Sequence, residues 1–375
     1  MAKPANTQPL PNAAYDVRLL FPVLFLVGIG IVMVYSASSA VALKKFGADF
    51  HFLKRQATFA FLGLMALVLC RHFPYRWYRA LAYPLLLVAV ALLLTVEFSQ
   101  WGIEAGGAKR WLRLGPVSFQ PSEFARLALI VYLAYSLEKK GDLVNRFSIG
   151  FLPHCAVFGC LAYLISRQPD FGAIVILGAL TWLMLFIGGV RFTYLAGLIV
   201  VMLPAGYFYL ISADYRWNRV LGFLDPWKYP SEQGYQIVHS LMAFGTGGLW
   251  GSGIGKGYQK LFYLPEPHTD FIFSVIGEEL GLIGVLVIVA LYATVILKGI
   301  SISRQATDAF GSYLAAGLTA AMGLQICINM AVTLGLLPTK GLTLPFISYG
   351  GSSLLMNMAA IGILMNIGAR GRRRG

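Results

Sequence analysis

Residues 271–297, FIFSVIGEELGLIGVLVIVALYATVIL, form a long apolar run that two adjacent glutamates interrupt. A helix needs roughly 20 apolar residues to cross the hydrocarbon core of a bilayer, and this run is longer. Lipid offers no hydrogen-bonding partner to a bare backbone, so a spanning segment must be a helix or part of a closed barrel. A barrel strand would alternate apolar and polar residues, which this run does not do. The stretch therefore predicts a transmembrane helix.

Nine further apolar runs of the same character lie on either side of this one. They occupy residues 19–41, 52–70, 80–96, 120–137, 151–166, 171–188, 193–211, 311–337 and 346–367. The composition agrees, because 58% of the 375 residues are hydrophobic and only 12% are charged, whereas a soluble domain carries about 25% charged residues. We therefore predict an all-α polytopic membrane protein of about ten transmembrane helices, without a separate soluble domain.

The segments between the runs predict the domain organisation. Residues 19–367 would form a single ten-helix membrane domain, between a cytoplasmic N-terminal segment (1–18) and a basic cytoplasmic tail (368–375). The long segment 212–270, between the seventh and eighth helices, is rich in aromatic residues and glycine. We expect it to be extracytoplasmic and packed on the membrane surface.

The net charge of +14 is high for a chain with so few charged residues. Basic residues counted over all the loops do not decide the orientation. Discounting the long segment, as the positive-inside rule requires, favours cytoplasmic termini. The basic residues left on short outer loops then indicate an anionic ligand at that face. The only basic cluster of the kind that binds nucleic acid is the short terminal tail, so we expect no nucleic-acid partner.

Two pairs of ionisable residues lie inside predicted spans, where charge is costly and usually functional. Glu123 and Arg126 are three residues apart and share a helix face, which fits either a neutralising pair or a polar site linked to a substrate. Glu278 and Glu279 must face protein or a water-filled cavity, and pairing with Arg126 is one solution.

Asp270 lies where the long segment rejoins the membrane, directly before the run 271–297. Such a carboxylate can be a first-turn helix residue that the helix dipole favours, or a general base at the outer membrane boundary. The residue pattern leaves both readings open. Asp170 follows Pro169 at a span boundary, where a helix N-cap is as good an interpretation as any other.

The glycine-rich stretch 245–257, GTGGLWGSGIGKG, does not match a phosphate-binding loop. Trp250 stands where that motif needs its first glycine, and Gly257 stands where it needs Ser or Thr. We interpret the stretch as a tight surface loop that requires close backbone approach. The histidines, cysteines and carboxylates show no metal-binding spacing.

Four motifs occur in register over nearly the whole chain: FQPSE at 119–123, QPDFG at 168–172, LPEPHTDFIFSVIGEELG at 264–281 and LPTKGLTLPFISYGGSS at 337–353. Together they resemble the SEDS family of bacterial shape, elongation, division and sporulation proteins. The stretch KGLTLP at 340–345 is more similar to the division-associated FtsW branch than to the elongation-associated RodA branch. This branch resemblance implies septal wall synthesis in the inner membrane.

The resemblance implies a ten-helix fold with a large extracytoplasmic loop between helices seven and eight. It also implies an enzyme that polymerises lipid II into glycan strands, beside a class B penicillin-binding protein that supplies transpeptidation and other division proteins. By resemblance, Asp270 matches an essential loop carboxylate, Glu123 a fourth-helix glutamate and Trp111 an aromatic residue of the second outer loop. Arg126 stands where many members have Lys, which keeps the charge but replaces a compact ammonium by a planar fork.

The implied reaction joins the 4-hydroxyl of an acceptor sugar to C1 of a donor sugar and releases undecaprenyl pyrophosphate. An α-linked donor gives a β-1,4 product by a single inverting displacement, which requires a base and positive charge at the leaving group. Asp270 is our candidate base. The candidates for receiving the pyrophosphate are basic residues expected at the outer face: Arg110, Arg216, Arg219, Lys256 and Lys340. No cofactor is certain, and a divalent cation, Mg²⁺ or Mn²⁺, could share this task.

Two other classes of function remain open on the sequence. A lipid II flippase without chemistry would use Glu123, Arg126, Glu278 and Glu279 to line a transport path. A scaffold would only position the class B penicillin-binding protein.

Overall fold

Each of the ten predicted spans coincides with a helix in the computed structural model of the protein, which describes residues 16–105, 108–115, 117–211, 214–232, 234–261 and 264–371. The ten helices are α1 (Val17–Phe46), α2 (His51–His72), α4 (Ala82–Phe98), α5 (Pro121–Lys140), α6 (Leu152–Arg167), α7 (Phe171–Ile187), α8 (Phe192–Ile211), α11 (Ile272–Arg304), α12 (Ala309–Thr333) and α13 (Gly351–Gly371). Three shorter helices lie between them: α3 (Trp77–Ala80), α9 (Asp214–Leu224) and α10 (Tyr235–Gly247). The predicted multi-pass helical architecture is confirmed.

Six of the described helical segments are long and apolar enough to cross a membrane. They are α1, α2, α11, α12, α13 and the segment Phe147–Arg167, which joins a short π-helical turn to α6. Large apolar side chains on the bundle exterior are strongly exposed, among them Leu87 (70%) and Val201 (69%). A water-facing surface rarely carries so many of them. Lipid is the environment that this exterior fits.

The interior of the bundle is built around α5, α12 and α13, which bury most of their side chains. Around them, α2 packs along α13, α1 packs along α11, and α7 packs against α12. The alternation of chain direction brings the connections α1–α2, α4–α5, α6–α7, α8–α11 and α12–α13 to one end, which we call the loop end because it carries the long segment 212–270. The residues of all four sequence motifs meet at this end.

The connection between α4 and α5 contains a three-stranded antiparallel sheet that an all-α prediction did not include. Its strands are β1 (Gly102–Ala105), β2 (Ala108–Leu114) and β3 (Val117–Phe119), in the order β1-β2-β3. Leu112 is buried and lies opposite Phe119. Searching for apolar runs of helical length misses such strands because each is shorter than a membrane span.

Helix α11 is broken at Gly281, whose φ of 64° and ψ of −167° are not helical. A break in a membrane helix leaves backbone groups without their usual partners, and these groups must be satisfied elsewhere. The glycine-rich stretch supplies the missing hydrogen-bond partners. Ser252 N–H donates to the Glu278 carbonyl (2.9 Å) and Gly253 N–H to the Glu279 carbonyl (3.0 Å). The expected close backbone approach of residues 245–257 is thus explained by the break in α11.

The side chains of Glu278 and Glu279 bind the end of this stretch, where Gly255 N–H donates to Glu279 (3.0 Å), and the residues that follow it. Neither glutamate pairs with Arg126. Glu279 accepts hydrogen bonds from the Lys260 ammonium and from the Ser36 hydroxyl of α1 (2.8 Å). Glu278 accepts from the backbone N–H groups of residues 258 and 259. The suggested pairing with Arg126 was wrong because a nearer cation, Lys260, arrives from the long segment, a contact that no local pattern reveals.

Candidate active site

The charged pair predicted on one face of α5 is present and almost fully buried. The Arg126 guanidinium donates to the Glu123 carboxylate at 2.5 Å, and only 9% and 12% of the two side chains are exposed. A second guanidinium nitrogen donates to the Gln325 side-chain oxygen of α12 at 2.6 Å. The planar fork of Arg126 therefore serves two acceptors on different helices at once, which a lysine ammonium would do with less geometric definition.

A small polar cavity lies beside this pair at the loop end. Its walls come from the start of α5, the start of α7 and residues 341–343, and they include Glu123, Arg126 and Asp170. The cavity measures about 40 Å³, and one water needs roughly 10–15 Å³. It has room for a few waters but not for a sugar ring, so a saccharide has to bind outside it or widen it.

Asp170 is the N-cap of α7, the interpretation that the sequence offered. Its carboxylate accepts from Ala173 N–H (3.2 Å) and from the Gln120 side-chain amide (3.2 Å). The bond from Gln120 joins the start of α7 to the start of α5. Asp170 also lines the cavity. The capping function and a place at the site are therefore compatible.

Asp270 lies next to the wall of this cavity that residues 341–343 form. A Cβ placed on Gly341, a lining residue, would come within 3.3 Å of the Asp270 carboxylate. Asp270 is half-buried and precedes the first turn of α11, which begins at Ile272. The structure thus brings together Asp270, Asp170 and the Glu123–Arg126 pair from three separate parts of the chain.

Lys340 is the predicted basic residue that the structure places at this site. Its ammonium lies 4.8 Å from the centre of the Phe171 ring, at the start of α7, and the next residue along the chain, Gly341, lines the cavity. Burial lowers the pKa of Lys340 below its usual value. A cation over an aromatic face is held by electrostatic attraction to the ring and stays free to meet an anion.

The other residues predicted to bind the substrate lie in different settings. Arg110 donates to the carbonyls of residues 168 (3.1 Å) and 169 (2.5 Å), which fastens β2 to the α6–α7 turn. Trp111 lies in β2 opposite Ile103, and Lys256 is exposed on the glycine-rich stretch. Arg216 and Arg219 belong to α9, but their side chains lie outside what the structure describes.

Two amides that the sequence analysis missed connect the parts of this site. Gln325 and Asn329 lie four residues apart on α12 and are nearly fully buried. Gln325 accepts from Arg126 and donates to the Thr343 carbonyl (2.9 Å). Asn329 donates to the carbonyls of Asp270 (3.0 Å) and Leu342 (2.6 Å). Polar residues at this spacing in an apolar span were the available signal, because such residues face the bundle interior.

In the part of the chain that the structure describes, no group of three or more His, Cys, Asp or Glu residues could hold a metal ion. Mg²⁺ is commonly held by one or two carboxylates together with phosphates of the substrate. The donor set around Asp270 therefore fits an ion only if the substrate supplies most of its ligands.

A family model described as cell cycle protein, for FtsW, RodA and SpoVE, matches residues 17–373. The chain belongs to this family. It is 48% identical over 356 residues to a protein of Geobacter metallireducens named probable peptidoglycan glycosyltransferase FtsW, covering 95% of each chain. It is 42% identical over 377 residues to the protein of the same name from Nitrosomonas europaea, covering 99% of this chain and 97% of that one.

Two solved structures extend the family likeness to the fold. One, described as "Structural coordination of polymerization and crosslinking by a peptidoglycan synthase complex", has a TM-score of 0.79 and 30% identity and covers 96% of this chain and 98% of that chain. The rod shape determining protein RodA of Thermus thermophilus has a TM-score of 0.71 and 28% identity, with 97% and 99% covered. The family fold and the SEDS resemblance are confirmed.

Proposed function

We propose that this chain is a peptidoglycan glycosyltransferase that polymerises lipid II into glycan strands for septal wall synthesis. The observation that carries the proposal is the meeting of Asp270, the Lys340 cation and the cavity beside Glu123 and Arg126 at one end of the bundle. Relatives named as this enzyme match almost the whole chain, and the matched span includes every residue of this site.

The proposed reaction is a single inverting displacement. The acceptor 4-hydroxyl oxygen attacks C1 of the donor sugar, the bond from C1 to the pyrophosphate oxygen breaks, and a β-1,4 bond forms. Asp270 accepts the hydroxyl proton, because it is a half-buried carboxylate next to the cavity wall at Gly341. Positioning such a base supplies typically 10²- to 10⁴-fold in rate.

Lys340 is the cation that we assign to the leaving pyrophosphate. Within the described residues it forms no ion pair, and its contact with Phe171 leaves its three protons available. Arg110, by contrast, already donates to two backbone carbonyls. Positive charge placed where negative charge develops lowers the barrier most in a site with little water.

The membrane arrangement of the proposal follows from the substrate. A polyprenyl-linked donor stays in the bilayer, so its reacting sugar lies at the membrane surface. We place the loop end, with residues 212–270 and the active site, on the extracytoplasmic side of the inner membrane. Residues 1–18 and 368–375 then lie in the cytoplasm, as the distribution of basic residues favours. A class B penicillin-binding protein is the proposed partner, since the most similar solved structure reported above couples polymerisation with crosslinking.

A flippase is less well supported, because it needs its intramembrane charges along one path. Glu123 and Arg126 are paired with each other, whereas Glu279 is paired with Lys260 and Ser36. The deciding experiment incubates the purified protein and its partner with lipid II in detergent and separates the products on a gel. Glycan polymer is expected. A folded complex that makes none, yet moves labelled lipid II between the leaflets of vesicles, would favour the flippase.

The alkaline side of the pH profile should depend on Lys340. Its pKa is lowered by burial, so the ammonium loses its proton at a lower pH than an ordinary lysine, and activity should fall as the pH rises through that value. In Lys340→Arg the guanidinium stays charged, and the alkaline fall should move to higher pH. The polymerisation rate measured against pH tests this.

The matched control is Lys228→Arg, because Lys228 also lies over an aromatic ring, that of Tyr229, but is exposed on the long segment. Its pH profile should equal that of the wild type. An alkaline fall that Lys340→Arg leaves in place would show that another group carries it.

A further inference from the structure

The backbone that leads into Asp270 is held at three consecutive carbonyls. The carbonyl of residue 268 accepts from the Tyr349 N–H at 2.9 Å. The carbonyl of residue 269 accepts from the Ser348 hydroxyl at 2.6 Å, and that of Asp270 accepts from the Asn329 side-chain amide at 3.0 Å. All three donors belong to α12 or to the connection that follows it. The peptide ahead of the proposed base therefore has little freedom to shift.

Asn329 differs from the other two donors because it bonds both the Asp270 backbone and a residue of the cavity wall. Its amide nitrogen also donates to the Leu342 carbonyl at 2.6 Å, and Leu342 lines the polar cavity. Both partners are carbonyls, which only accept, so the nitrogen of the amide must face them. One side chain therefore joins the backbone of Asp270 to the cavity wall at residues 341–343.

The amide oxygen of Asn329 shows that this side chain is not simply filling space. Asn329 is 2% exposed, and its Oδ1 has no hydrogen-bond donor within the described part of the chain. A buried polar atom without a partner is destabilising, whereas an apolar side chain of similar volume would avoid that cost. The contribution of Asn329 must therefore come from its two donated bonds.

We infer that Asn329 is a positioning residue for glycosyl transfer, which sets the distance between the Asp270 carboxylate and the cavity wall that carries Lys340. The inference rests on the proposed function, since it assumes that Asp270 and Lys340 act on the same substrate. A misplacement of about 1 Å in such an arrangement can cost roughly 10²-fold in rate. Loss of the two hydrogen bonds that Asn329 donates lowers kcat by about that factor and leaves the KM for lipid II nearly unchanged.

The main test is Asn329→Asp, which keeps the size of the side chain and replaces the donor by an acceptor that repels both carbonyls. Asn329→Ala is the second variant, because it leaves room for a water to bridge the two carbonyls and so preserves folding if the aspartate does not. Both are assayed with the full chain and its partner for kcat, KM and thermal unfolding. Hydrogen exchange of residues 264–272 is measured on the same samples.

Asn366→Asp is the matched control. Asn366 is also nearly fully buried, and it joins two backbone groups by donating to the carbonyl of Arg71 (2.7 Å) and accepting from Tyr75 N–H (2.9 Å). It lies at the other end of the bundle, so its loss should lower thermal stability without accelerating exchange at residues 264–272.

The expected result is a kcat loss of about 10²-fold in Asn329→Asp, a smaller loss in Asn329→Ala and faster exchange at residues 264–272 in both. A kcat within twofold of the wild type, or exchange no faster than in the control, overturns the inference. Failure of the proposed function is distinguishable. The wild type would then make no polymer, while the exchange measurement would still report whether Asn329 holds the Asp270 backbone.

Discussion

Asp270→Asn should reduce polymerisation of lipid II by about 10²- to 10⁴-fold, because the amide cannot accept the proton of the attacking hydroxyl. The substitution keeps the shape of the side chain, so its position beside Gly341 is retained. The backbone bond from Asn329 is also unaffected, because it is made to the main-chain carbonyl. The measurement is the rate of glycan polymer formation by the full chain with its partner.

Asp225→Asn is the control for this change. Asp225 is an exposed carboxylate of the long segment, so its variant carries the same change in charge and should polymerise at the wild-type rate. If Asp270→Asn folded normally and retained full activity, the base would have to be another carboxylate at the cavity, with Glu123 and Asp170 as the remaining candidates.

The largest effect on stability is expected from Arg126→Met. This substitution leaves the Glu123 carboxylate buried without a cation and removes a donor from Gln325. Removing one partner of a buried ion pair typically destabilises a protein by about 3–5 kcal/mol. Thermal unfolding of the purified protein in detergent should therefore occur at a clearly lower temperature than in the wild type.

Two further variants separate the charge from the shape of Arg126. Glu123→Gln together with Arg126→Met removes both charges, and it should recover much of the loss because no unpaired ion is left. Arg126→Lys keeps the charge and should lose less, since only the second contact of the planar fork, with Gln325, is given up. Equal destabilisation in Arg126→Met and Arg126→Lys would contradict the ion-pair explanation.

Much of the site could be predicted from the sequence because its carboxylates lie at recognisable positions relative to the membrane spans. Asp270 precedes a membrane span, and Glu123 and Arg126 are three residues apart within one, a spacing that puts them on the same face in any helix. The sequence did not predict which of the basic residues would lie at the site. Lys340 and Arg110 are both basic residues expected at the outer face, and it is their contacts that differ: an aromatic ring for one and two carbonyls for the other.

The break in helix α11 is a second feature that the sequence did not predict. Gly281 is one of many glycines in the chain, and nothing in its neighbourhood marks it as a break. Its positive φ is open to glycine because glycine has no Cβ, and the break is tolerated because Ser252 and Gly253 satisfy the carbonyls that it exposes. The break in the helix and the conformation of the glycine-rich stretch depend on each other, so neither could be predicted from its own segment.

The apolar run at 271–297 and its nine counterparts determined the membrane architecture by themselves. The thickness of the bilayer sets the length of a span and lipid requires a paired backbone, and both conditions act within a single segment. The tertiary structure alone decided the partner of each buried charge. Ser36 and Glu279 are 243 residues apart in sequence, and a contact at that separation depends on how the helices pack against one another, which no single segment of the sequence records.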